Sequence, residues 1–202
     1  MQSVERVDGP WPREMTIEVS EFPRPLLELL FVRHAWDLDV WVHFDELDPA
    51  PDPGASRRPS EVNSAELSER WVDAWKACSY WNWRSRRDYA DDPSIAAMHG
   101  VTGPVWWSRT FGWDGLDRIA FEGWCAELDS LRQPDGPERA VGDELVAAWR
   151  DGLRAVFVMP YLRTEGAEWN GSRFMTISAR TRLDPGAYRD ALTGRPRPAV
   201  AI

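Results

Sequence analysis

The stretch LLELLFVRHA at residues 26–35, followed by Trp36-Asp37 and then LDVWVHF at residues 38–44, decides how the rest of the chain is read. Its second half alternates. Leu38, Val40, Val42 and Phe44 share one parity and Asp39, Trp41 and His43 the other, the period of a half-buried strand. The first half is an apolar run broken by Glu28. Read as two strands joined at Trp36-Asp37, the stretch becomes a hairpin, although the Asn-Gly or Asp-Gly pair that most often closes such a turn is missing. That register sets His34 opposite Asp39, Val32 opposite Trp41, Leu30 opposite His43 and Glu28 opposite Asp45, with facing Cβ atoms about 5 Å apart. Leu38, Val40, Val42 and Phe44 give the second strand one wholly apolar face, and that side of the hairpin belongs in a core. The other gathers two of the three histidines, three carboxylates and a tryptophan.

Working outward, residues 15–22 alternate like a strand before Pro23 and Pro25 interrupt the ladder. Residues 154–161 and 173–182 read as two more strands, separated by a polar loop over 163–171. Four helical patterns lie among these strands. Asn63, three residues before Glu66, has capping-box spacing and opens a helix with the stripe Leu67, Trp71, Trp75, Cys78, running towards Arg87. Asp114 caps a second, with Phe121, Trp124, Cys125, Leu128 and Leu131 on one face. Pro137 suits the first turn of a third, which carries Val141, Leu145, Ala148, Trp149 and Leu153. Asp184-Pro185 and Gly194 punctuate a fourth, containing Tyr188 and Leu192. Strands, then helices, then strands predict an α+β fold: a single antiparallel sheet of about five strands with about four helices packed on one face. Residues 1–194 are expected to form one domain and residues 195–202 a flexible C-terminal tail. Residues 47–59, with Pro49, Pro51, Pro53, Gly54 and Pro59, read as a long loop of the kind that often carries function.

The 202 residues hold 33 acids against 24 bases, a net charge of −9, which excludes a general duplex nucleic-acid binder because phosphate neutralisation needs a basic footprint. The acidity is local: residues 1–100 carry 19 acids and 11 bases (net −8), residues 101–202 carry 14 and 13 (net −1). Arginine supplies nearly all the positive charge, with Lys76 the only lysine, a skew expected of a GC-rich bacterial genome. Thirteen tryptophans are unusual; tryptophan buries a large apolar area yet needs a partner for its indole N–H, so it serves cores and binding surfaces alike. Cys78 and Cys125 fall on apolar helix stripes, where thiols are inert packing. No basic-then-apolar leader opens the sequence and no apolar run approaches the ~20 residues that span a bilayer, so a cytoplasmic, non-membrane protein is expected.

The mixed face of the hairpin has three readings. It is a solvated sheet face with incidental charge, an acidic recognition patch, or a chemical site with His34, Asp39 and His43 as candidate acid–base groups. Between His34 and Ser56 there is no arginine or lysine, while Asp37, Asp39, Asp45, Glu46, Asp48 and Asp52 all fall there. Such a field steers a basic partner, and Trp36 and Trp41 are the candidate anchors. The candidate binding residues are therefore Trp36, Asp37, Asp39, Trp41, His43 and Asp45. HEXXH, CXXC, GXSXG, Walker A and GXGXXG patterns are all absent, so no metal or cofactor is expected. Arg84, Arg86 and Arg87 beside Tyr80, Trp81 and Trp83 form an aromatic–basic cluster that reads as a helix end with arginines stacked on tryptophan.

Residues 29–35 (LFVRHA preceded by Leu29) resemble the strand-plus-RHG segment of the histidine phosphatase superfamily. The resemblance implies His34 as phosphorylated nucleophile, Arg33 as phosphate ligand and His99 as a second histidine. It covers seven residues, and Trp36-Asp37 departs from that family's continuation. The functional expectation is accordingly a non-enzymatic acidic protein that recognises a basic protein partner, in the manner of an immunity protein or antitoxin. The alternative is a hydrolase or phosphotransfer enzyme using His34 and His43.

Overall fold

In the computed structural model, the described residues are 11–40, 45–83, 106–132, 136–162, 167–170 and 173–194. The decisive stretch is a helix. β1 (Glu18–Glu21) ends where Phe22 takes a left-handed conformation, φ 51°, and turns the chain into α1 (Arg24–Trp36). Pro25 occupies the first turn, where its missing N–H costs nothing. Asp37, at φ 48°, closes the other end by donating its N–H to the carbonyls of Arg33 and His34. Every residue from Pro25 to Val32 is buried. A helix enclosed on all sides shows no polar stripe, and a short apolar run cannot by itself be told from a buried strand. Leucine supplies four of its thirteen residues and Val32 is its one β-branched side chain, which favours the helix.

The predicted hairpin therefore does not exist. Residues 38–40 have no regular structure, and residues 41–44 lie outside the described residues, as do 84–105 and the tail at 195–202.

α2 (Ser64–Trp83) starts as expected, with the Asn63 side chain accepting the Ala65 N–H at 2.9 Å. A short α3 (Trp107–Phe111) was not anticipated. α4 (Arg118–Ser130) is capped by Asp117, three residues after the expected Asp114; its carboxylate accepts the N–H groups of Ile119 and Ala120. A 3₁₀ turn (Pro137–Val141) leads into α5 (Gly142–Arg150). β2 (Ala155–Met159), β3 (Glu168–Asn170) and β4 (Phe174–Ser178) follow, then α6 (Ala179–Leu183) and α7 (Pro185–Thr193). The expected strand at 173–182 thus stops halfway, where the Ser178 hydroxyl accepts the Thr181 N–H and caps α6. The loop expected at 163–171 contains β3.

The sheet order is β1-β2-β4-β3. β1, β2 and β4 are mutually parallel, and β3 joins the outer edge of β4 antiparallel. Three parallel strands with seven α-helices among the described residues replace the expected antiparallel five-strand sheet with four helices. The reason is local. Once residues 26–44 supply no hairpin, β1 has no antiparallel neighbour and pairs with β2 through a long crossover that holds α1–α5, as parallel pairing requires.

Two cores result. Val156, Val158, Met175 and Ile177 point to one face of the sheet, where Val141, Leu145, Ala148, Tyr188, Ala191 and Leu192 of the 3₁₀ turn, α5 and α7 cover them. The second core surrounds α1. Leu67, Trp71 and Cys78 of α2, Trp107 of α3 and Phe121, Trp124, Cys125 and Leu128 of α4 enclose it, and Phe22, Met159 and Tyr161 link it to the ends of β1 and β2. The proline-rich segment at 49–58 is fastened to this helical side. Trp124 Nε1 donates to the Pro49 carbonyl at 2.9 Å, the Ala55 N–H to Asp117 Oδ2 at 2.9 Å and the Arg57 N–H to the Gly115 carbonyl at 2.8 Å.

Candidate functional site

The chain leaving α1 runs along the exposed flank of α2, and the two together form an open groove of about 300 Å³. Val40 and the buried Val72 give it an apolar lining, while Asp39, Glu69 and Asp73 supply three carboxylates, with Ser68 and Lys76 completing the wall. Why α2 presents acids here follows from its period. Leu67, Trp71, Ala74 and Cys78 face the α1 core, so Glu69, Asp73 and Lys76, at spacings of four and three, fall together on the solvent side. The fold pins the opposite wall. Leu38 is buried and its N–H donates to the Arg33 carbonyl at 3.0 Å, which fixes the start of the segment that carries Asp39.

Of the residues singled out from sequence, Asp39 alone lines this groove. Asp37 is exposed at the helix end beside it, and Asp45 is half-buried. Trp36 is sealed inside at 5% exposure. Its indole donates to the Gly115 carbonyl at 2.9 Å and its ring meets Trp107 edge-on at 5.7 Å, so it is a core residue and not an exposed anchor. Trp41 and His43 lie outside the described residues. His34 sits exposed in the last turn of α1. A phosphatase-like histidine follows a strand; this one is held within a helix, which removes the structural basis of the short resemblance. Glu69 and Asp73 were missed from sequence, though their i,i+4 spacing opposite the Leu67–Trp71–Cys78 stripe was the signal.

A second charged cluster is buried beside the C-terminal end of β1. Glu21 lies in one row with Val158 and Ile177, on the sheet face that α5 and α7 cover. It reaches Arg182 of α6, which also makes two parallel bonds to Glu138, Nε to Oε1 at 2.7 Å and Nη2 to Oε2 at 2.9 Å. The Tyr188 hydroxyl donates to Glu138 Oε1 at 3.4 Å. Burial pushes the Tyr188 phenol up, and the neighbouring Glu138 carboxylate adds to the shift. All three Arg182 nitrogens are engaged, so this cluster ties together β1, the 3₁₀ turn, α6 and α7.

Neither a protein-family model, nor a curated protein sequence, nor a solved structure matches this chain. Among the described residues no group of three His, Cys, Asp or Glu side chains is arranged to hold a metal, and no helix is long and apolar enough to cross a membrane. Cys125 is buried, and burial raises its thiol to about 12, far from the thiolate a nucleophile needs. What the groove offers is three carboxylates against the single ammonium of Lys76, a net negative charge above an apolar lining, which suits the alkyl stem and cationic head of an arginine or lysine.

Proposed function

We propose that this chain is a non-enzymatic acidic binding protein that captures a basic protein partner, of the immunity-protein or antitoxin kind. The observation that carries the reading is the groove between residues 38–40 and α2, where Asp39, Glu69 and Asp73 stand around Val40 and Val72. The local charge excess of the first hundred residues supports it, since a field of one sign speeds the approach of an oppositely charged surface. The docking surface differs from the one expected from sequence: acids of two segments share it, and Trp36 takes no part.

The test is binding of an arginine-rich peptide at low and at moderate salt. The wild-type protein should bind it with an affinity that falls as salt rises. Asp39→Asn with Glu69→Gln and Asp73→Asn should abolish most of that binding. Glu127→Gln with Asp190→Asn, two exposed acids outside the groove, should leave it intact. Equal loss in both variants would reduce the effect to net charge and overturn the assignment of the groove.

A further inference from the structure

Glu28 is the charged side chain that the described fold treats most strangely. It sits in α1 at 1% exposure. Oε2 accepts the Ser108 N–H at 3.3 Å, in the first turn of α3, and Oε1 has no hydrogen-bond partner among the described residues. Among the described residues no cation forms an ion pair with it. Arg24, one turn earlier on α1, is exposed and ion-paired with Glu122 of α4. The titratable group that α4 turns towards Glu28 is the Cys125 thiol, with Glu122 and Asp129 near that thiol. From α2 the buried titratable group is Cys78, and α3 brings only the backbone of Trp107 and the backbone and hydroxyl of Ser108.

An ionised carboxylate in such a place has lost its water without gaining a counter-ion, and the neutral acid is the cheaper state. Burial accordingly raises the Glu28 carboxyl above the usual range, against smaller opposing pulls from Ser108, Trp107 and Arg24. The weak point around it is α3. It is five residues long, its N-cap Trp106 makes no side-chain capping bond, and it is held to α1 by the Glu28–Ser108 contact and by Trp107 against Trp36.

We propose that the α1–α3 contact is a pH-responsive latch, closed over a protonated Glu28 and released when that carboxyl gives up its proton to solvent. Opening lets water reach the carboxylate and uncovers Trp107 and Trp36. The sign follows from linkage. The open form, with an ordinary carboxyl, loses its proton first as pH rises. The opening equilibrium therefore grows about tenfold per pH unit from the ordinary carboxylate range up to the raised value of the closed form, then levels off.

Two readouts on the intact protein test this across about pH 4 to 9. Carboxyl-carbon NMR should show Glu28 titrating above the exposed carboxylates. Amide exchange at Ser108–Phe111, corrected for hydroxide catalysis, should rise over the same interval, and Glu28→Gln should flatten that rise. Should the variant not fold, coincidence of the two wild-type curves carries the decision. A Glu28 that titrates with the exposed acids, or an exchange profile that Glu28→Gln leaves unchanged, overturns the latch. Neither result bears on the acidic groove.

Discussion

The two cores of this protein bury the same functional group and treat it in opposite ways. Beside the sheet, Glu21 and Glu138 share one arginine, with a tyrosine hydroxyl on Glu138. Within the helical core, Glu28 meets backbone N–H groups on one oxygen and nothing described on the other. The first arrangement surrounds its carboxylates with donors; the second offers few, and burial there favours the neutral acid. Burial alone thus does not fix what a glutamate does. The donor set decides.

The largest effect that separates the two regions should come from Arg182→Met. It strands Glu21 and Glu138 as buried charges without a cation, and loss of one partner of a buried pair costs about 3–5 kcal/mol. Urea denaturation at neutral pH should show a correspondingly lower midpoint; a change within about 0.5 kcal/mol, the range of neutral surface substitutions, would mean the network contributes nothing net.

Removing one charge on each side sharpens the contrast. Glu138→Gln should destabilise by about 1.5–3 kcal/mol, because Arg182 loses charge-assisted bonds. Glu28→Gln should stabilise at neutral pH and do nothing at low pH, where the wild-type acid is protonated in folded and unfolded chains alike. Two losses of equal size in thermal unfolding would erase the distinction.

A smaller effect tests how the helical side holds its proline-rich segment. Gly54 has φ +58°, and a Cβ there would lie 2.5 Å from Asp117 Oδ2. Gly54→Ala should cost about 1–2 kcal/mol from the left-handed backbone alone. It should also loosen the Ala55–Asp117 bond, which amide exchange at Ala55 would register.

Sequence made some of this plain and hid the rest for identifiable reasons. Asp184-Pro185 and Gly194 marked α7 almost to the residue, and Asn63 marked the start of α2, because caps and prolines act locally. The run at 26–35 misled because a helix buried on every side carries no period to read. Alternation at 38–44 then suggested a strand whose first three residues have no regular structure. That error carried the sheet with it, since parallel or antiparallel pairing depends on what separates the strands. The groove was half legible. Asp39 stood out within a stretch lacking bases, whereas its partners Glu69 and Asp73 come from another element, and no local pattern states which helix face will meet which loop.

The parallel register Glu18↔Ala155 has a bearing on how the molecule comes into being. While the chain is made, β1 emerges first of this pair, and the strand it pairs with is synthesised only after all of α1–α5. The intervening helices can gather around α1 in the meantime, but the sheet cannot begin. Until β2 arrives, the Glu18–Glu21 backbone is an open edge, and the interval on the ribosome is when this protein most needs protection from its neighbours.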